Sequence, residues 1–255
     1  CLYLNIWAPT QTASNQALPV MVWIHGGGNT SGTKDTYDFS ALAYDQQVVV
    51  VTINYRLGPL GWITHPSIQG EAEGLDKSSN FGQLDIIAAL EWTQRNIQNF
   101  GGDHNNVTIF GESAGGHNVY ALLVSPLANG LFHRAIAQSP YTTTVTPRQA
   151  FNRNREFPEL DRGSWELLQA LELDPDTTSA SALRSIDVYE IMSAYYSLEK
   201  DHLSPLSTAD GIVIPAVGME QALADPQYAK SVPVLSGSNR DEVTLWTGLN
   251  RYFVN

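Results

Sequence analysis

Alternating strand and helix patterns predict an α/β fold: a mainly parallel central sheet with helices on both faces and a helical insertion over residues 140–210. Three observations carry this reading. Short apolar runs rich in β-branched residues recur along the chain, separated by glycine loops or by stretches with helical spacing. One of them, Val107 to Phe110, leads through a tight glycine turn directly into a helical pattern. The 255 residues are 43% hydrophobic and only 16% charged, enough to bury a large core and too apolar for disorder.

The elements follow in order. Leu2 to Trp7, Val20 to Ile24 and Val48 to Ile53 read as strands, with a glycine loop and a polar segment to Asp45 between the second and third. An irregular stretch from Gly58 to Ser79 precedes a long amphipathic helix from Phe81 to Asn99, predicted to bury Leu84, Ile87, Ala88, Leu90, Trp92 and Ile97. The glycines of Gly101-Gly102-Asp103 stop that helix. After Val107 to Phe110, Val119, Leu122 and Leu123 keep helical spacing until Pro126, and Leu131 to Ser139 returns to a strand pattern. From Pro140 to Asp210 strand signals vanish and helical patterns appear at Trp165 to Leu171 and Val188 to Leu198. The sheet pattern resumes at Val232 to Leu235. Strands alternating with helices imply a parallel sheet, whose ligands bind at the carboxyl ends of its strands.

Charge narrows the function. With 14 basic and 26 acidic residues the formal charge is −12, which disfavours nucleic acid and anionic membranes as partners. Cys1 is the single cysteine, so no internal disulfide and no cysteine-based metal site can form, and neither cofactor nor metal is expected. No apolar run reaches the length of a membrane span, and no signal or targeting pattern is visible. The opening CLYLNIW reads as a strand already under way, so the domain is expected to be incomplete at this end.

The sharpest motif is Gly111-Glu112-Ser113-Ala114-Gly115. G-x-S-x-G is a weak pattern alone, and an N-cap serine in a tight turn is the bland reading. Strand, glycine turn and helix together, however, make the nucleophile elbow of α/β-hydrolases, in which backbone strain lifts the serine hydroxyl above the sheet edge. A serine nucleophile needs a base for its proton and preorganised donors for the oxyanion. His25-Gly26-Gly27-Gly28, directly after a strand, offers backbone N–H groups free of side-chain shielding. The lysine and hydroxyl of a phosphate loop are missing there, and contiguous glycines do not make a dinucleotide fingerprint. The triad acid should follow in the loop after a later strand, where Asp241 and Glu242 stand as equal candidates. A histidine should come after the acid. All six histidines precede Glu242, and the helix would carry His117 below the turn. His202 in the insertion has the wrong order, so the base is expected beyond Asn255.

Taken together, CLYLNIWAP, VMVWIHGGG, VVVVTINYRLGPLGW, NFGQLDIIAALEWTQRNIQNFGGD, VTIFGESAGG and GSNRDE resemble the type-B carboxylesterase and cholinesterase family, over most of residues 1–140 and again near 205–245. The resemblance implies an α/β-hydrolase fold and cleavage of small-molecule carboxylic esters through an acyl-enzyme. It implies Ser113 as nucleophile, the backbone N–H groups of Gly27, Gly28 and Ala114 as oxyanion donors, and Glu242 rather than Asp241 as the triad acid. Glu112 matches a family glutamate that lines the active site. The family histidine downstream of the acid and the cysteine partner upstream of Cys1 have no counterpart, so the chain reads as an internal piece of a catalytic domain, inactive alone. Residues upstream that bear on choline are likewise absent. Members are often exported, so the resemblance is compatible with a secreted or periplasmic location, while the sequence leaves localisation open. The alternative is a cholinesterase-like binding or adhesion protein that has lost its triad; such proteins usually lack the serine.

Overall fold

The computed structural model describes residues 2–10, 17–158, 160, 163–198, 205–242 and 244. Among the described residues, six strands form the main sheet: β1 (Leu4–Trp7), β2 (Leu18–Ile24), β3 (Val49–Ile53), β4 (Gly102–Glu112), β5 (Arg134–Gln138) and β8 (Val234–Gly237). Their order is β1-β3-β2-β4-β5-β8. Only the β1–β3 pairing is antiparallel, and every other neighbour in this sheet is parallel.

Side-chain alternation divides the core by face. Val20, Val22 and Ile24 of β2, Val49, Val51 and Ile53 of β3, and Val107 and Ile109 of β4 all enter one cluster. There they meet Ile86 and Leu90 of α3 (Phe81–Asn96) and Val119 and Leu122 of α4 (Ala114–Val124). The intervening residues Trp23, Val50 and Phe110 form a second cluster with Ala43 of α1 (Ser40–Gln46). Each fully buried isoleucine or leucine contributes roughly 2 kcal/mol of apolar transfer.

The remaining elements are short. The irregular stretch after β3 contains α2 (Pro66–Glu71) among tight turns. Beyond β5 come β6 (Thr144–Val145), α5 (Pro147–Phe151), α6 (Ser164–Ala170), α7 (Ala180–Ser185), α8 (Val188–Ser197), β7 (Ser207–Thr208) and α9 (Met219–Ala224).

Four details differ from the sequence pattern. α1 forms inside the segment read as polar, because seven residues with a single buried alanine leave no apolar stripe to detect. β6 and β7 pair within the stretch where strand signals vanish; two-residue strands have no period. In α3, Ala88 is exposed and Leu84 and Trp92 are half-buried, whereas Gln83, Asp85, Ile86 and Thr93 are buried. Polar residues occupy the inner face because they have partners there. Asp85 takes a two-pronged ion pair from Arg56, with Nε to Oδ2 and Nη2 to Oδ1 both at 2.8 Å. The strand bounds also shift: β4 extends back to Gly102 through polar residues, and β8 sits two residues later than its pattern.

Two glycines illustrate opposite constraints. A Cβ on Gly115 of α4 would lie 2.1 Å from the carbonyl oxygen of Ile24, whereas one on Gly70 of α2 would meet nothing within 4 Å. In urea unfolding, Gly70→Ala should therefore raise stability by about 0.5–1 kcal/mol through helix propensity. Gly115→Ala should lower it by about 2 kcal/mol or more, since backbone must move. Equal effects of the two would contradict this packing.

Candidate active site

β4 ends at Glu112 and α4 begins at Ala114, leaving Ser113 alone at the junction with φ 57° and ψ −120°. This is a conformation a non-glycine residue adopts at a cost of about 1–3 kcal/mol. The serine makes no side-chain capping bond, so the N-cap reading has no support in the geometry. Its backbone is fixed on both sides: its N–H donates to the Gln138 carbonyl at 2.9 Å, and its carbonyl accepts from the His117 N–H at 2.9 Å.

Glycines permit the crowding around this turn. A Cβ on Gly26 would come within 2.6 Å of the Glu112 carbonyl oxygen and 3.2 Å of the Ser113 Cβ, and one on Gly111 within 2.6 Å of the Gly115 backbone. The glycine loop after β2 therefore lies directly against the elbow. Gly27, Gly28 and Asn29 follow with φ of 95°, 63° and 56°, a run of left-handed residues. The loop closes on the Gly27 carbonyl, which accepts from the N–H groups of Thr30 at 3.1 Å and Ser31 at 3.0 Å. Ala114 is the first residue of α4, so its N–H belongs to the helix-terminal donors that have no partner within the helix. Such donors, with the helix dipole behind them, favour negative charge at this point.

The parallel register brings a third segment to the same level. Glu112 pairs with Gln138 and Gln138 with Gly237, so the loops after β4, β5 and β8 leave the sheet side by side. Here the two candidate acids separate. Asp241 is exposed and ion-paired with Arg240 at 3.0 Å. Glu242 turns inward: its Oε2 accepts from the Ser139 hydroxyl at 2.8 Å and from the Asn239 N–H at 2.7 Å. These two bonds hold the Glu242 carboxyl below the usual glutamate range, so it stays ionised. Glu112 lies nearby and shifts the other way, raised by partial desolvation and by the negative charge of Glu242. Ser139, itself at φ 46°, was not visible as a site residue in the sequence. Only the sheet register, which joins residues more than a hundred positions apart, reveals it.

The histidines are held elsewhere. His25 is buried, stacked on Tyr55 with ring centroids 4.3 Å apart. His65 bonds the Pro175 carbonyl at 2.9 Å, His104 meets Gln98, and His133 accepts from the Val107 N–H at 3.1 Å. His117 is fully buried below the turn, between the Tyr141 carbonyl at 2.9 Å and Ser207 Oγ at 2.7 Å. None of these five imidazoles bonds the side chain of Ser113 or of Glu242, and His202 lies outside the described residues. Among the described residues no cluster of three or more His, Cys, Asp or Glu is arranged to hold a metal ion. No described helix is long and apolar enough to cross a membrane.

Burial lowers the pKa of His117 from 6.5 to about 4. A depressed pKa means that the unfolded chain takes up a proton as pH falls below 6.5 while the folded chain resists, so stability drains away until about pH 4. Urea midpoints between neutral pH and that limit should show the wild-type chain losing up to about 3 kcal/mol more than His117→Gln. Parallel pH profiles would contradict the burial of a neutral imidazole.

Comparison with known proteins bears on the family and the fold of the chain. The carboxylesterase family model matches residues 1–251. Para-nitrobenzyl esterase of Bacillus subtilis (strain 168) is 39% identical over 247 residues, covering 95% of this chain and 47% of that protein. Fumonisin B1 esterase of Sphingopyxis macrogoltabida is 40% identical, covering 97% and 43%. Among solved structures, a PNB esterase superposes with a TM-score of 0.81 at 39% identity, covering 96% of this chain and 50% of the other. A Geobacillus stearothermophilus carboxylesterase reaches a TM-score of 0.84 at 36% identity, covering 99% and 50%. The chain thus spans about half the length of the relatives it matches. On the family match over nearly its whole length, with an α/β-hydrolase fold, this chain belongs to the carboxylesterase family.

Proposed function

We propose that the protein carrying this chain hydrolyses carboxylic esters through an acyl-enzyme on Ser113. The observation that carries the proposal is the backbone of Ser113: φ 57° and ψ −120° at a strand-to-helix turn, with no capping bond made by its hydroxyl. Such strain has no evident use in a capping serine but suits an exposed nucleophile.

In this reading Ser113 Oγ attacks the ester carbonyl, and the N–H groups of Gly27, Gly28 and Ala114 receive the oxyanion. Glu242, kept ionised by Ser139 and Asn239, orients a histidine that takes the serine proton and returns it to the leaving alcohol. Because the five described histidines are engaged elsewhere and His202 precedes the acid in the chain, we place that histidine outside residues 1–255. Water then attacks the acyl-enzyme by the same route and releases the acid. Glu112, with its raised pKa, lies beside the nucleophile as a secondary member of the site. Residues 140–210 we assign as a cap contributing to the substrate pocket.

Turnover of p-nitrophenyl butyrate by the intact protein should fall by about 10³-fold or more in Ser113→Ala, with the fold retained. Glu242→Gln should cost about 10²-fold or more. Residues 1–255 alone should be no faster than Ser113→Ala. Undiminished turnover in Ser113→Ala would sink the proposal.

A further inference from the structure

His117 and its neighbours belong to a buried polar chain that the proposed chemistry leaves unused. Trp62 Nε1 donates to Gln83 Oε1 at 2.8 Å. Gln83 Nε2 in turn donates to Ser207 Oγ at 2.5 Å and to Asn118 Oδ1 at 3.2 Å. The Ser207 hydroxyl, having accepted from Gln83, has its proton left for His117 Nε2, and His117 Nδ1–H then donates to the Tyr141 carbonyl. One direction of donation runs through the whole chain and fixes the tautomer of His117. A branch leaves it at Asn118, whose Nδ2 donates to Asn29 Oδ1 at 3.0 Å.

The branch links the two halves of the candidate site. Asn118 sits on α4, five residues beyond Ser113, and Asn29 directly follows Gly28. Both are 0% exposed. Asn29 is itself left-handed at φ 56°, and its carbonyl accepts from the Gly58 N–H at 2.7 Å. The run of left-handed residues at 27–29 is thus held from behind at Asn29, whose Oδ1 accepts from Asn118 on the elbow helix and, at 3.5 Å, from the Tyr55 hydroxyl, and whose carbonyl accepts from the loop after β3. Asparagine accepts the left-handed φ at position 29 more readily than an apolar residue does, and the single amide-to-amide bond from Asn118 adds direction that apolar packing lacks.

We infer that Asn118 and Asn29 are positioning residues, which set the glycine-loop N–H groups at their working distance from Ser113. The inference rests on the reading of Ser113 and the Gly27 and Gly28 N–H groups as nucleophile and oxyanion donors. Its energetic logic is that of a preorganised donor set. A donor displaced by about 1 Å stabilises a developing oxyanion poorly, at a cost near 10²-fold in rate, while ground-state binding hardly changes.

The test is a double-mutant cycle in the intact protein with p-nitrophenyl butyrate. Asn29→Ala and Asn118→Ala should each lower kcat by about 10- to 100-fold and leave KM within about threefold. The double variant should fall within about threefold of the worse single, because both break one link. Asn118→Ser, the smaller polar change, serves where alanine does not fold, and should recover part of kcat. Folded variants with unchanged kcat, or effects that multiply in the double variant, would overturn the inference. Full turnover in Ser113→Ala, run alongside, would instead remove the reading beneath it.

Discussion

One residue in a costly backbone conformation organises the carboxyl edge of this sheet. Ser113 sits where a parallel strand must turn at once into a helix, and the left-handed φ follows from that geometry. A strained turn persists only when its surroundings over-determine it. Here Gly26, Gly111 and Gly115 let three backbone segments meet closer than any side chain permits, and Gln138 and His117 fix the peptide groups on either side. The strain is local, and it is fixed between deeply buried elements: β2, the end of β4 and nearly all of α4.

A second constraint runs through the interior. A parallel sheet with helices on its faces has little room for water, so polar side chains on the inner faces must find partners. Asp210 shows how far this goes: one carboxyl oxygen accepts from the N–H groups of Ile212 and Val213, and the other from Ser78 and Asn80. Arg56 with Asp85, and the chain from Trp62 to Tyr141, obey the same rule. These contacts join the 205–214 segment, the loop after β3 and α3 into one framework behind the elbow. The framework gives the glycine loop and Ser113 a common reference, which is what electrostatic catalysis needs from a scaffold.

Much of this was legible in the sequence, and what was not shares a cause. β2, β3, the elbow and the glycine loop are local patterns, written in consecutive residues such as Val20 to Gly28 and Val107 to Gly115. The inner face of α3 departs from its apolar period, because Gln83 and Asp85 are buried for the sake of Trp62, Ser207 and Arg56, all distant in sequence. Ser139 carries no local signal for the same reason: its partner Glu242 is brought to it only by the register of β5 and β8. Hydrophobic period reports which way a residue faces, but a buried polar residue is decided by its partner, and no short window of sequence contains both. Choosing Glu242 over Asp241 needed the family resemblance, and the geometry adds an independent distinction between them.

The central claim is that Ser113 and the glycine-loop N–H groups act on one carbonyl. A crystal structure of the intact protein after reaction with an alkyl fluorophosphonate tests it most directly. The expected result is a covalent bond from Ser113 Oγ to phosphorus, with the phosphoryl oxygen about 2.7–3.1 Å from the N–H groups of Gly27, Gly28 and Ala114. An adduct on any other residue, or a phosphoryl oxygen turned away from those three donors, would contradict it.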